Sequence, residues 1–183
     1  ETVEADLSLV ETPARVFDAI EKGIGPVTAL VLSHCHGNNS HILDTTVESF
    51  DMHFAVNARA SWLLVREFGR RFRAPFGRGR IVALTSDHVA GNLPYGASKG
   101  ALDRIILAAA EEFRDLGIAA NLINPGPTAT GWMTAQQIAE YTKQTPGGRP
   151  GLPDDCANLV RFLCSEEGGW INGQLLHSNG GLQ

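Results

Sequence analysis

Residues 93–105 read "LPYGASKGALDRI", and their spacing is the strongest indication of the fold and the chemistry of the chain. Tyr95 and Lys99 stand four positions apart, which places both side chains on one face of a helix. Apolar residues continue the same spacing downstream, at Leu102, Ile105, Ile106, Ala109 and Phe113. The spacing therefore predicts a helix from about Tyr95 to Arg114, ended by Gly117.

The same letters are compatible with two kinds of chemistry. A hydride-transfer enzyme can use a Y-x-x-x-K pair, because a cation beside a phenol favours its ionised form and lowers its pKa. Residues 96–100 also match the G-x-S-x-G turn of serine hydrolases, which needs a strand running directly into it. Here "DHVAGNLP" (87–94) intervenes, and the helical spacing places Ser98 in a first helical turn. A hydrolase remains an alternative, with a triad drawn in chain order from Ser98, Asp154 or Asp155, and His177.

Short apolar runs alternate with helical patterns on either side of this stretch. Two of these runs, "TALVLS" (28–33) and "RIVALTS" (80–86), are rich in β-branched residues, and "IAANLINPG" (118–126) is a third apolar run. "GQLLHS" (173–178) is predicted as a last short strand, and a further strand is expected at Val3–Asp6. Such alternation, with continuously apolar strands, is typical of a parallel sheet covered on both faces. We therefore predict one α/β domain over residues 1–183, built on a doubly wound parallel sheet.

The helix boundaries carry their own signals. Thr12, followed by a proline, predicts an N-cap with proline at the first helical position. The pattern Thr45-x-x-Glu48 predicts a capping box that opens a long helix to about Arg70. "DDCANLVRFLCS" (154–165) predicts another helix before the last strand.

Composition narrows the classes of function. The 183 residues are 43% hydrophobic and carry a net charge of −5, so neither a nucleic acid nor a membrane is an expected partner. No apolar run approaches the length of a membrane span. The three cysteines show no C-x-x-C spacing, which favours a reducing compartment, and we expect a cytoplasmic protein.

Five segments, in order, resemble the short-chain dehydrogenase/reductase family. They are "FAVNARASWLL" (54–64), "RIVALTS" (80–86), "YGASKGAL" (95–102), "INPGPTATGW" (123–132) and the C-terminal stretch from Arg149 to Gly181. The last of these is similar to bacterial 3-oxoacyl-acyl-carrier-protein reductases. The resemblance spans nearly the whole chain and implies a Rossmann-like fold.

The resemblance also implies the catalytic roles. Tyr95 would donate a proton to the substrate oxygen while Ser86 hydrogen-bonds the same atom, and Lys99 would lower the pKa of the tyrosine. Asn57 would interrupt its helix locally and position a water that relays protons to Lys99. The implied activity is hydride transfer between a nicotinamide cofactor and a carbonyl or secondary alcohol.

A cofactor site follows from the same resemblance. NAD or NADP would contact Asp6, Leu7, Ser33, Tyr95, Lys99, Pro125, Gly126, Thr128 and Thr130. The choice between the two cofactors is not readable from these residues. Members of this family commonly form homotetramers or homodimers through their long helices and C-terminal strand, so a homo-oligomer is expected.

Three departures from the family pattern stand out. The glycine-rich phosphate-binding turn is missing, since "GIG" (23–25) follows a helix and precedes a strand, the reverse of the required order. We therefore expect the natural chain to be longer, with the first strands of the sheet and that turn upstream. The alternative is a non-catalytic or regulatory family member without dinucleotide binding. Ser86 also precedes Tyr95 by only nine positions, closer than is usual in the family.

The third departure is "SHCHG" (33–37), where the family has N-N-A-G. Its histidines, with His41, invite a metal interpretation, but their spacing matches no familiar zinc site and no metal is expected. Substrate choice would depend on the loop before Tyr95, which contains His88, and on a lid that includes Trp132, Met133 and Tyr141.

Overall fold

A parallel sheet forms the centre of the molecule. The computed structural model describes residues 2–131 and 133–182. Its strands are β1 (Ala29–Leu32), β2 (Gly79–Leu84), β3 (Ile118–Asn124) and β4 (Leu175–His177). They lie side by side in the order β1-β2-β3-β4, and every neighbouring pair is parallel. The predicted parallel α/β architecture is confirmed.

Helices connect and cover the strands. They are α1 (Thr12–Gly23), α2 (Val47–His53), α3 (Ala60–Arg71), α4 (Leu93–Glu112), α5 (Ala135–Gln144) and α6 (Pro153–Cys164). A π-helical segment, Phe54–Arg59, joins α2 to α3 without a break. The long helix predicted to reach about Arg70 is therefore present, with a local change of winding in its middle.

Alternation along β2 explains why both faces of the sheet are covered. Ile81 belongs to a buried cluster that includes Phe68 of α3 and Leu102 of α4. The next residue, Val82, points to the opposite face and belongs to a second cluster with Leu163 of α6. Fully burying each of these side chains stabilises the fold by about 1.5–3 kcal/mol.

The sheet also determines where a site can form. Because the strands are parallel, β1, β2 and β3 all end at the same edge, and the loops that follow them meet there. β2 ends at Leu84 and α4 begins at Leu93, so the end of β2 and the start of α4 are close in the chain.

Three local expectations are corrected. Thr12 is the first residue of α1 rather than its cap, since Glu11 occupies the cap position. The cap of α2 is Thr46, whose hydroxyl accepts from the Ser49 amide, because the Thr45 hydroxyl is already donated to the His41 carbonyl. The strand expected at Val3–Asp6 is absent, as these residues take no regular structure.

The segment before α1 is instead organised by a turn. The Asp6 carboxylate accepts the Ser8 amide at 2.8 Å, a local bond that ends extended structure. Among residues 2–131 and 133–182, none of the helices has both the length and the apolar character that crossing a membrane requires.

Candidate active site

The face of α4 that carries Tyr95 and Lys99 docks on the end of β2. Lys99 is 3% exposed, and its Nζ donates to the Leu84 carbonyl at 2.8 Å. Two positions further along, the Ser86 hydroxyl faces the half-buried Tyr95 phenol. The structure thus brings Ser86, Tyr95 and Lys99 together, despite the short spacing between Ser86 and Tyr95.

The environment of Tyr95 favours the protonated form of its phenol. Burial raises the pKa of the phenol, neighbouring Cys35 raises it further, and the Ser86 hydroxyl acts in the opposite direction. The prediction of a lowered phenol pKa is therefore wrong, because desolvation of the phenol is the largest effect. The Lys99 Nζ lies 5.8 Å from the centre of the tyrosine ring. Tyr95 is arranged as an acid that remains protonated at neutral pH.

Lys99 is a buried cation in a mixed environment. Burial lowers the pKa of its ammonium group, while Cys35 and Asp103 oppose that change. Its Nζ has three N–H donors, and the described residues supply one hydrogen-bond acceptor for them, the Leu84 carbonyl. The remaining donors suit the hydroxyl groups of a bound ligand.

Asn57 lies inside the π-helical segment and is fully buried. Its Nδ2 donates to the His36 carbonyl at 2.9 Å, and its Oδ1 accepts the His36 amide at 2.7 Å. The second Nδ2 hydrogen goes to the Ser98 hydroxyl at 2.9 Å. The predicted local interruption of the helix is confirmed, and its effect is to clamp the loop after β1 to α4. The water relay expected at Asn57 stays a prediction.

The Ser98 hydroxyl takes part in these hydrogen bonds and does not face solvent. Ser98 is fully buried, and its hydroxyl donates to the Tyr95 carbonyl at 2.8 Å. Because α4 begins at Leu93, Ser98 lies one turn later than the sequence analysis placed it. Asp155, a proposed triad member, instead accepts two hydrogen bonds from Arg149. This arrangement does not support a serine hydrolase.

A cavity of about 470 Å³ opens at the carboxyl ends of β1, β2 and β3. Four of the residues predicted to bind the cofactor line it, namely Ser33, Pro125, Thr128 and Thr130. Leu84 joins this cavity to the catalytic face of α4, since its side chain lines the cavity and its carbonyl holds Lys99. Val31, Cys156 and Val160 give the cavity an apolar wall.

Gly126 shapes the loop that borders this cavity. Its φ of +59° lies in the left-handed region, and an added Cβ would lie 2.5 Å from the Asn179 Cβ. Only glycine meets both conditions. The cavity and the donors left free on Lys99 fit the flat ring and ribose of a nicotinamide nucleotide.

The other predicted cofactor residues lie apart from this cavity. Asp6 lines a separate cavity of about 570 Å³ beside α1, and Leu7 packs against the buried cluster on that face of the sheet. Their role in cofactor binding stays a prediction. In the predicted lid, Tyr141 lies on α5, Met133 precedes that helix, and Trp132 lies outside the described residues.

The imidazoles in and around the histidine-rich loop (33–37) make hydrogen bonds within the protein. The buried His53, which the sequence analysis did not single out, donates from Nδ1 to the Ser49 carbonyl and accepts the Asn38 amide at Nε2. His34 Nε2 lies 3.2 Å from both the Val56 carbonyl and the Ser61 hydroxyl. No group of three or more metal-ligating side chains is found within the part of the chain that the structure describes.

Gly96 explains how the short loop before Tyr95 is accommodated. A Cβ at Gly96 would lie 2.1 Å from the His88 carbonyl oxygen, so the loop backbone packs directly on the helix. The His88 amide also donates to the Ser86 hydroxyl at 3.2 Å. Close packing of this loop therefore positions Ser86.

This contact yields a matched pair of variants. We expect Gly96→Ala to lower the free energy of unfolding by about 1–3 kcal/mol and to reduce turnover, because the loop holding Ser86 must move. Gly100→Ala, in the same helix with nothing within 4 Å of the added methyl, should instead raise stability by about 0.5–1 kcal/mol. Urea unfolding of both variants checks this, and equal effects would contradict it.

Comparisons with known proteins agree with this geometry. The sequence model of the family described as "Enoyl-(Acyl carrier protein) reductase" matches residues 1–183. "Uncharacterized oxidoreductase YjdA" of Bacillus subtilis is 37% identical over 187 residues, covering 100% of this chain and 74% of the relative. "NADPH-dependent aldehyde reductase-like protein, chloroplastic" of Arabidopsis thaliana is 35% identical, covering 98% and 70%.

A solved structure is also similar. The angucycline C-6 ketoreductase LanV with bound NADP superimposes with a TM-score of 0.89 at 27% identity. The match covers 99% of this chain and 74% of the other.

Proposed function

The chain belongs to the short-chain dehydrogenase/reductase family, and from this premise we propose that Tyr95, Ser86 and Lys99 carry out the proton chemistry of an NAD(P)-dependent carbonyl reductase. The observation that carries this proposal is the placement of these three side chains at the end of β2, next to Leu84, which lines the 470 Å³ cavity. The substrate is a small molecule with a carbonyl or secondary alcohol group.

A nicotinamide nucleotide held at this cavity would supply the hydride for the carbonyl carbon. As negative charge develops on the carbonyl oxygen, the Tyr95 hydroxyl donates its proton to that atom, and the Ser86 hydroxyl donates a hydrogen bond to it. The buried Lys99 ammonium stabilises the tyrosinate that remains, in a site where little water competes. The raised pKa of Tyr95 suits this direction, because the proton is present before the reaction begins.

Asn57 supports these groups indirectly. Its amide fixes the backbone on both sides of His36 and holds the Ser98 hydroxyl, which in turn bonds the Tyr95 carbonyl. The tyrosine is thereby held in one position relative to the loop after β1. Such preorganisation matters because small displacements of a catalytic group cost large factors in rate.

We further propose NADPH as the reductant and a 3-oxoacyl thioester as the first substrate to test. Support for NADPH comes from relatives and a similar structure whose names state NADPH or NADP. Support for the 3-oxo group comes from the resemblance of the C-terminal stretch to 3-oxoacyl-acyl-carrier-protein reductases, and the description of the matching family supports a substrate carried on acyl carrier protein. The similarity to an angucycline ketoreductase makes an aromatic polyketide-like ketone the second substrate to test.

The proposed function is tested by following NADPH and NADH oxidation spectrophotometrically with both substrates. We expect cofactor oxidation that requires protein and ketone together and that is faster with NADPH than with NADH. No oxidation with either cofactor, alongside no change in cofactor fluorescence on titration with protein, would instead favour a non-catalytic family member.

A homo-oligomer is also proposed. Trp62 on α3 is 47% exposed, and it lines an open groove with Ile105 and Ala108 of α4. This groove lies on the long helices through which the resemblance to the family implies association. Light scattering is expected to report a dimer or tetramer, and a monomer at micromolar concentration would contradict the proposal.

A further inference from the structure

Two polar residues near Lys99 have no part in the mechanism above. Asp103 lies one helical turn beyond Lys99 on α4, and Thr85 stands between Leu84 and Ser86 at the end of β2. The Thr85 hydroxyl, on a side chain that is 4% exposed, donates a hydrogen bond to the Asp103 carboxylate. A half-buried carboxylate is thereby fixed one helical turn from a buried cation.

The contact completes a regular pattern between β2 and α4. Leu84, Thr85 and Ser86 follow one another at the end of β2, and each contacts a different residue of α4. The three contacted residues of α4 are spaced four positions apart. The Ser86 hydroxyl faces Tyr95, the Leu84 carbonyl accepts from Lys99, and the Thr85 hydroxyl donates to Asp103. Residues at this spacing share one face of a helix, so the three contacts fix the face that carries the reaction.

The charges around Lys99 show why Asp103 matters. The groups close to its ammonium are the Tyr95 ring, Cys35, His34 and Asp103. Burial disfavours the ammonium form and His34 is a potential second cation, whereas Asp103 is the neighbour that carries a negative charge at neutral pH. Asp103 itself faces Arg104 and Lys99, and burial raises the pKa of its carboxyl group.

We propose that Asp103 is a positioning residue for Lys99: its carboxylate, anchored by the Thr85 hydroxyl, supplies the counter-charge that keeps the Lys99 ammonium charged beside Tyr95. Asp103 acts through Lys99 and does not reach the reacting atoms. The inference deepens the proposed function, because its effect on turnover rests on Lys99 taking part in the reaction.

The composition of the chain allows a direct test without cofactor or substrate. The protein has three lysines, Lys22, Lys99 and Lys143, of which only Lys99 is buried. In protein labelled with carbon-13 at lysine Cε, an NMR pH titration follows Lys99 separately from the two exposed lysines. In Asp103→Asn, we expect the titration midpoint of Lys99 to move to lower pH, with Lys22 and Lys143 unchanged.

Two further variants separate charge from structure. Asp103→Asn is nearly isosteric, and its amide oxygen can still accept from Thr85, so the fold is expected to survive. Thr85→Val keeps the carboxylate but removes its anchor, and should move the Lys99 midpoint in the same direction by a smaller amount. Glu112→Gln, on an exposed position of the same helix, should leave the Lys99 midpoint unchanged.

Turnover provides the second readout. We expect the alkaline limb of the kcat profile to move to lower pH in Asp103→Asn, with about a threefold to tenfold loss at pH 9 and little change at pH 6. A Lys99 midpoint that is the same in wild type and Asp103→Asn would overturn the inference. A wild-type protein without reductase activity would overturn the proposed function instead, while the NMR titration would still decide the role of Asp103.

Discussion

Replacing Tyr95 by phenylalanine is expected to lower kcat for ketone reduction by about a hundredfold to ten-thousandfold, the usual contribution of a positioned proton donor. The hydroxyl that faces Ser86 is the only group removed, so the packing of the half-buried ring against the loop after β1 is retained. Steady-state kinetics at saturating cofactor measures this effect.

Cofactor binding is the control for this variant. Tyr95→Phe should bind NADPH with nearly the wild-type dissociation constant, because Lys99 and the cavity at the strand ends are unchanged. The change in NADPH fluorescence on titration with protein measures this constant. A variant that kept more than a third of wild-type kcat would show that another group supplies the proton.

The second large effect is expected at Asn57. In Asn57→Asp, the Nδ2 group that donates to the His36 carbonyl and to the Ser98 hydroxyl becomes an oxygen, so two buried hydrogen bonds are lost. The new oxygen also faces the His36 carbonyl. We expect the free energy of unfolding to fall by about 2–4 kcal/mol, since buried polar groups are left without partners.

Activity should fall with this loss of structure. The clamp that Asn57 forms determines where Tyr95 lies relative to the loop after β1, so kcat is expected to fall more than KM rises. Asn158→Asp is the matched control, because Asn158 is exposed and its oxygen accepts from Arg161, which a carboxylate also can. Equal losses of stability in the two variants would argue against the clamp.

Periodicity and spacing predicted the elements that carry the site. The four short apolar runs form the parallel strands, and the spacing around Tyr95 and Lys99 predicted α4. The resemblance to the family predicted the interruption at Asn57, which the structure shows as a π-helical segment. These features follow from local patterns that a single sequence displays.

Other features depend on contacts that no local pattern reveals. The sequence pattern predicted Thr45 as the cap of α2, whereas the structure has Thr46, because the Thr45 hydroxyl donates to the His41 carbonyl in the preceding turn. The raised pKa of Tyr95 reflects burial, which the helical spacing of Tyr95 and Lys99 does not indicate. Asp103 was missed because its partner, Thr85, is eighteen positions away in the chain.

The most direct test of the central claim is transfer of deuterium from cofactor to product. NADPH carrying deuterium at both C4 positions of the nicotinamide is mixed with the protein and the ketone that supports oxidation, and the product alcohol is analysed by mass spectrometry. We expect one deuterium on the carbinol carbon of the product from wild type and at most a trace of labelled product from Tyr95→Phe over the same time. Alcohol formed without deuterium, or full labelling by Tyr95→Phe at the wild-type rate, would contradict it.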